Sequence, residues 1–197
     1  LEETLSTMND LVHQGKVRYI GASNMPAWLT AKALWLADLH DWCRIEWIQN
    51  SYSLLERKDE VELFPLLADQ GLGYTPFSPL AGGWLTGKYR QDEDFPAGSR
   101  MTLRSDPYEH LLRPHIFAGL DRLRAFASAR GVDMATVALA WLLAEPRVTA
   151  VIMGPRRVSH LEPGLAALDL KLTPEERAEM AGFFVCPACG PGAAVEQ

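Results

Sequence analysis

Val17-Arg18-Tyr19-Ile20-Gly21-Ala22-Ser23-Asn24-Met25-Pro26 decides the fold. Residues 17–21 are a short β-type run rich in β-branched and aromatic side chains. Ser23-Asn24 ahead of Pro26 is a helix-start signature, with proline near the first turn. Downstream, Trp28, Leu29, Ala33 and Leu36 give that helix an apolar face, and a second strand is predicted at 44–48, ending on Gln49. Upstream, Leu1, Leu5, Met8, Leu11 and Val12 share a stripe of an amphipathic helix stopped by Gly15. The stretch is therefore one turn of an alternating strand and helix pattern.

The alternation continues to the end of the chain. A helix is predicted over 59–70, with Val61, Phe64 and Leu67 inward and Gly71 as its stop, then a strand at 72–77. A Gly-, Pro- and charge-rich loop is predicted over 78–113. Pro114 opens a helix with Phe117, Leu120, Leu123 and Phe126 on one side, and 134–145 is a very apolar, buried helix. A fourth strand is predicted at 148–153. Two helices close the chain near 158–168 and 174–184, the second opened by the capping box Thr173-Pro174-Glu175-Glu176. Strands alternating with helices argue for a parallel α/β sheet, because a parallel connection needs a crossover long enough for a helix. Four strands fit either a small doubly wound layer or four of the eight strands of a (β/α)8 TIM barrel. Such a barrel takes about 250 residues, so the barrel reading makes this a partial barrel and implies an N-terminal half outside the sequence.

Composition narrows the function. The 197 residues are 48% hydrophobic and 22% charged, with a net charge of −6. That is a globular mixture, and its field disfavours broad contact with nucleic acid. The longest apolar run, 137–144, is far short of the ~20 residues that span a bilayer. No basic-apolar leader precedes Leu1, and three cysteines make no disulfide framework, so a reducing, cytoplasmic setting is expected. Cys186 and Cys189 form a CxxC without a second pair, in a Pro/Gly-rich tail expected to be flexible over 185–197.

Ligands of parallel sheets bind at the carboxyl ends of the strands. Those ends carry Ser23 and Asn24; Gln49, Asn50 and Tyr52; Phe77, Ser78, Pro79, Leu80, Ala81, Gly82 and Gly83; and Gly154, Pro155, Arg156 and Arg157. Amides and hydroxyls, a ring, glycines and guanidinium groups together suit a nicotinamide dinucleotide. Each has a plainer reading: Ser23 or Asn24 as a helix cap, Gln49 as a satisfied strand-end amide, Phe77 as core, Arg156 as solvated charge. Gly82 to Lys88 approaches a phosphate-cradling GxxxxGK, but Tyr89 stands where Ser or Thr is needed and no helix signal follows. GxGxxG, GxSxG and HExxH are absent from the sequence, and no metal site is expected.

Four segments carry a resemblance. Residues 15–24, Gln49-Asn50-Ser51-Tyr52-Ser53-Leu54-Leu55-Glu56-Arg57, Phe77-Ser78-Pro79-Leu80 with Leu85-Thr86-Gly87-Lys88-Tyr89, and Val151-Ile152-Met153-Gly154-Pro155-Arg156 resemble, in order, the segments around strands five to eight of the aldo-keto reductases. The bacterial branch similar to potassium-channel β subunits is the best match, over residues 1 to about 184. The resemblance implies strands 5–8 of a (β/α)8 barrel and an NADP(H)-dependent oxidoreductase that reduces aldehydes or ketones by hydride transfer. It assigns Ser23, Asn24 and Gln49 to the nicotinamide carboxamide and Phe77 to the ring, where the family often has Tyr or Trp. It assigns Ser78 to Gly82 to the pyrophosphate, Lys88 and Arg100 to phosphates, and Gly154 and Arg156 to the adenosine phosphate. His160 stands where the family commonly has Gln near the adenine, and Pro163-Gly164 where it has Glu-Asn. The family's catalytic Asp, Tyr, Lys and His belong to its first four strands, and nothing in this sequence matches them. The chain alone is thus expected to lack carbonyl reductase activity and to self-associate through an open half-barrel; a non-catalytic pyridine-nucleotide-binding or interaction module is the alternative. The expected partner is a small carbonyl substrate, with neither nucleic acid nor membrane, and the particular aldehyde or ketone is not readable from the sequence.

Overall fold

A computed structural model of the chain describes residues 1–185; the expected flexible tail, with Cys186 and Cys189, lies outside the described residues apart from Val185. Three parallel strands lie in sequence order: β1 (Ile20–Ser23), β2 (Ile45–Gln49) and β3 (Gly73–Tyr74). The crossovers are α2 (Ala27–His40) between β1 and β2 and α3 (Leu63–Gln70) between β2 and β3, with α1 (Glu2–His13) ahead of the sheet. Beyond β3 come α4 (Arg100–Leu103), α5 (Pro114–Ala129), α6 (Met134–Leu143), α7 (Glu162–Asp169) and α8 (Pro174–Ala181). Because the strands are parallel, their carboxyl ends share one end of the sheet.

The fourth predicted strand is not a ladder strand. Residues 148–153 run beside β3, where the Thr149 N–H donates to the Tyr74 carbonyl at 2.8 Å and the Ile152 N–H to that of Pro76 at 2.9 Å. The return bonds are missing for a chemical reason. The Tyr74 N–H donates to the Thr149 hydroxyl at 3.1 Å, and Pro76 has no N–H to give. The same proline shortens the strand predicted at 72–77 to two residues, and Phe77 rejoins the sheet only through a bridge to Ser51. β1 begins three residues later than predicted, with an irregular register between Ile20 and Gly21. There the Trp47 ring of β2 lies 2.5 Å from where a Cβ on Gly21 would sit, so only glycine fits beneath it.

Two predicted inward residues face solvent. Trp28 is 65% exposed, because α2 is apolar on nearly every side and the core takes Ala33, Leu34, Leu36 and Ala37 instead. Val61 is 49% exposed, because the helix predicted over 59–70 breaks into a 3-10 turn at Lys58–Glu60 and then α3, which changes its phase. Of the first helix's stripe, Leu5 is buried, Leu11 and Val12 are half-buried, and Leu1 and Met8 are exposed. The helices predicted from Pro114 and over 134–145 form as α5 and α6, the latter buried at every position from Met134 to Leu142. Closing segment 158–168 splits into a 3-10 turn at Val158–His160 and α7, and α8 ends at Ala181. The capping box is present in both directions: the Glu176 N–H donates to the Thr173 hydroxyl, and the Thr173 N–H to the Glu176 carboxylate. No single helix among the described residues is long and apolar enough to cross a membrane.

The predicted loop 78–113 is not structureless. It contains a 3-10 segment at Ala81–Thr86, α4, and a 3-10 turn at Asp106–Leu111. Trp84, Leu85 and Tyr89 are fully buried there, with the Trp84 ring against Tyr89, Phe95 and Phe117 of α5. This aromatic cluster pins the loop to the helical layer and leaves its outer side facing the strand ends.

Candidate functional site

At the strand ends, Ser23 and Asn24 do not cap α2, whose N-cap position is Pro26 and which has no side-chain cap. The Ser23 hydroxyl and the Asn24 N–H both donate to the Gln49 carbonyl, at 2.8 and 3.2 Å. The Asn24 side-chain amide donates to the Ser23 oxygen at 3.2 Å. The Gln49 side-chain amide has no hydrogen-bond partner among the described residues, so it is not the satisfied strand-end amide of the plainer reading. Asn24 holds a left-handed backbone, with φ of 54°. Ser78 and Ala81 do the same, at 54° and 46°. Among the described residues, three of the five non-glycine residues with positive φ thus fall at predicted site positions, where strain of this kind characteristically gathers.

Beside these tips lies a cleft of about 800 Å³. Phe77, Ser78, Pro79, Leu80, Gly82, Lys88, Arg100, Gly154, Arg156 and His160 all line it. The cleft therefore gathers ten of the fourteen predicted residues. Ala81 is buried behind it, in the wall of a smaller cavity of about 300 Å³ that also touches Phe77. Ser23, Asn24 and Gln49 are not in the cleft lining but adjoin it through the backbone: the Phe77 N–H donates to the carbonyl of Asn50, at 3.0 Å. Phe77 is half-buried with a face on the cleft, which decides against the purely core reading.

Two glycines shape the middle of the cleft. Gly82 and Gly83 have φ of 65° and 98°. A Cβ on Gly82 would strike the Tyr108 ring at 2.4 Å, and one on Gly83 the Lys88 ammonium at 2.4 Å. The turn thereby admits the lysine, whose Nζ sits 5.0 Å from the Tyr89 ring centre. Across the cleft, Arg156 Nη2 reaches the Gly98 carbonyl at 3.5 Å, and the Arg156 N–H points to His160 Nδ1 at 3.4 Å. Lys88, Arg100 and Arg156 face a single lining carboxylate, Asp133. A chain with an overall charge of −6 has thus concentrated cations on one concave surface.

The sequence-based reading missed Tyr108, Asp133 and Ser159, all in the lining. Tyr108 sits in a segment read as irregular, and the glycine it covers was its only trace. Asp133 occupies the N-cap position of α6 but makes no side-chain cap bond.

Residues 1–183 match the family described as Aldo/keto reductase family. The chain belongs to that family. One relative is the uncharacterized oxidoreductase YrpG of Bacillus subtilis (strain 168), 38% identical over 175 residues, covering 88% of this chain and 51% of the relative. Versiconal hemiacetal acetate reductase of Aspergillus parasiticus is 33% identical over 198 residues, covering 97% and 55%. L-glyceraldehyde 3-phosphate reductase of Escherichia coli O157:H7 is 38% identical over 188 residues, covering 91% and 53%. The chain thus spans about half the length of these curated relatives. Its family members are oxidoreductases on the TIM-barrel fold.

Proposed function

We propose that the chain is the cofactor-binding part of an NADP(H)-dependent aldehyde or ketone reductase, and that its sheet with segment 148–153 corresponds to strands 5–8 of the barrel. The observation that carries this reading is the gathering of Phe77, Lys88, Arg100, Arg156 and the strained Ser78 turn around one cleft beside Ser23, Asn24 and Gln49. The donor set fits a dinucleotide: cations for phosphates, an aromatic face for a flat ring, and the unpartnered Gln49 amide beside Ser23 and Asn24 for a carboxamide.

In this reading the bound dinucleotide supplies a hydride. Ser23, Asn24 and Gln49 would hold its carboxamide. Phe77 would lie against the ring and shield it from water; lacking a hydroxyl or indole N–H, it would contribute contact alone. The Ser78 to Gly82 turn, Lys88 and Arg100 take the phosphates. Gly154, Arg156 and His160 take the adenosine end, with Arg156 on its phosphate.

The proton that completes carbonyl reduction is assigned to residues outside this chain. Tyr52 does not replace the missing donor. Its hydroxyl is fully buried, donates to Glu60 Oε1 at 2.7 Å and accepts from Arg177 at 3.1 Å. Burial and the neighbouring Glu60 carboxylate push its pKa up, away from any useful range. A fluorescence titration of the purified chain with NADPH tests the proposal. Saturable binding without NADPH oxidation over an aldehyde panel is the expected result. Absence of binding overturns the cofactor assignment, and turnover overturns the placing of the proton donor elsewhere.

A further inference from the structure

Behind the proposed carboxamide site lies a buried polar cluster that the mechanism above does not use. Asn50, Asp59 and Tyr74 are 4%, 8% and 0% exposed and come from three different places: the residue after β2, the 3-10 turn at Lys58–Glu60, and β3. Asn50 Oδ1 accepts from the Met25 N–H at 3.3 Å, and its Nδ2 donates to the Met25 carbonyl at 3.4 Å. One side-chain amide thus clamps both backbone groups of the residue that follows Asn24. The same Nδ2 donates to Asp59 Oδ2 at 2.9 Å, and the Tyr74 hydroxyl donates to that oxygen at 2.7 Å. A single carboxylate oxygen therefore sets the orientation of the Asn50 amide, and Tyr74 sets the carboxylate. Burial and the Asp59 charge raise the Tyr74 pKa, so its hydroxyl stays a donor.

The Ser23-Asn24-Met25 turn needs such a clamp. Asn24 is held at φ of 54°, a conformation that costs energy for any residue with a Cβ and persists only where its surroundings enforce it. On one side the turn is held by the Gln49 carbonyl, which accepts from Ser23 and Asn24. On the other side it is held by Asn50.

We infer that Asn50, Asp59 and Tyr74 are positioning residues, which touch no ligand but hold the Ser23-Asn24 turn in the geometry that receives the nicotinamide carboxamide. The inference rests on the cofactor reading above. It separates the two ends of the ligand: loss of the clamp weakens the nicotinamide end and leaves the adenosine end as it was.

The experiment measures the affinity of the 197-residue chain for two probes, NADPH and adenosine 2′,5′-bisphosphate, which lacks the nicotinamide. Asn50→Leu deletes the clamp at similar volume, and Tyr74→Phe deletes only the outermost hydroxyl and keeps its ring packing. The expected result is NADPH binding weakened about tenfold by Asn50→Leu and about threefold by Tyr74→Phe, in line with the usual worth of buried hydrogen bonds. Bisphosphate binding stays within about twofold of the starting chain. Asp59→Asn keeps an oxygen able to accept from both neighbours and restores most of the NADPH affinity relative to Asp59→Leu. Equal weakening of both probes, or unchanged NADPH affinity in Tyr74→Phe and Asn50→Leu, overturns the inference while the cofactor reading stands. If Asn50→Leu does not fold, Tyr74→Phe and Asp59→Asn decide on the same two probes. Failure of the unaltered chain to bind either probe overturns the cofactor reading, and the inference with it.

Discussion

The two ends of the candidate site are built differently. At the β1 and β2 tips, the Ser23-Asn24-Met25 turn is tied on both sides, to Gln49 and to the buried Asn50–Asp59–Tyr74 cluster. Next to that cluster, Tyr52, Glu60, Arg57, Arg177 and Glu145 form a second network, which carries the restraint to α6 and α8. At 154–160 every residue is exposed, and Arg156 is held to its surroundings by two contacts of 3.4 and 3.5 Å. Folding alone thus fixes the first end through buried hydrogen bonds, whereas the second is exposed and held by few contacts. On the proposed cofactor reading, a site built this way would fix the nicotinamide end tightly and hold the rest of the ligand through charge.

The largest effect follows from breaking the ordered end. Glu145 is 1% exposed at its side chain and pairs with Arg147 and Arg177, both at 2.6 Å. Glu145→Ala leaves Arg177 without its carboxylate beside the Trp141 ring. Such half-broken buried pairs cost about 3 kcal/mol, read as a lowered urea midpoint at constant slope. Next come paired glycine substitutions at the two ends. Gly21→Ala meets the Trp47 ring and costs about 1–2 kcal/mol, whereas Gly154→Ala, with nothing within 4 Å of the added methyl, stays within about 0.5 kcal/mol. Adding Trp47→Ala to Gly21→Ala should recover part of the loss, and a cycle of four chains measures the coupling. Equal costs at the two glycines would remove the contrast.

The open end should respond in affinity instead. Arg156→Ala leaves the unfolding midpoint unchanged and weakens adenosine 2′,5′-bisphosphate about tenfold at low salt, or roughly 1.4 kcal/mol. Because the guanidinium is exposed, the difference narrows as salt rises. A salt-independent loss would mean that Arg156 holds the fold rather than a charge.

Legibility in the sequence follows the same division. Strand and helix order was readable because alternation and stop signals are local: Gly15 and Gly71 end helical segments in left-handed conformations, as expected. Part of the cleft was readable because Phe77 to Gly82, Gly154 and Arg156 follow predicted strands, whereas Arg100 and His160 entered only through the family resemblance. Pairing was not readable at 148–153, where a threonine hydroxyl and a proline remove the ladder bonds. Nor was the interior of 78–113, whose Trp84–Tyr89–Phe95–Phe117 cluster depends on α5 closing over it. The clamp behind Asn24 escaped for a similar reason: Asn50, Asp59 and Tyr74 meet only after two crossovers bring them together.

The smallest effect concerns the anchor of the ordered end. Arg177 reaches Tyr52 and Glu145 from α8, and the capping box fixes where that helix begins. The Glu176 carboxyl lies below its ordinary range, first because the Thr173 N–H donates to it at 2.8 Å and then because Arg130 donates to it as well. A carboxyl whose folded pKa is depressed adds stability above its unfolded value, about 4.3, and loses it as pH falls through the folded value. Glu176→Gln keeps a capping oxygen but cannot titrate. The unaltered chain should therefore exceed Glu176→Gln in stability at pH 6, and the gap should close on acidification below about 4.3. A gap of constant size across that range would assign the effect to shape rather than to charge. A gap that closes would show the charge of Glu176 helping to set the start of the helix from which Arg177 braces the ordered end.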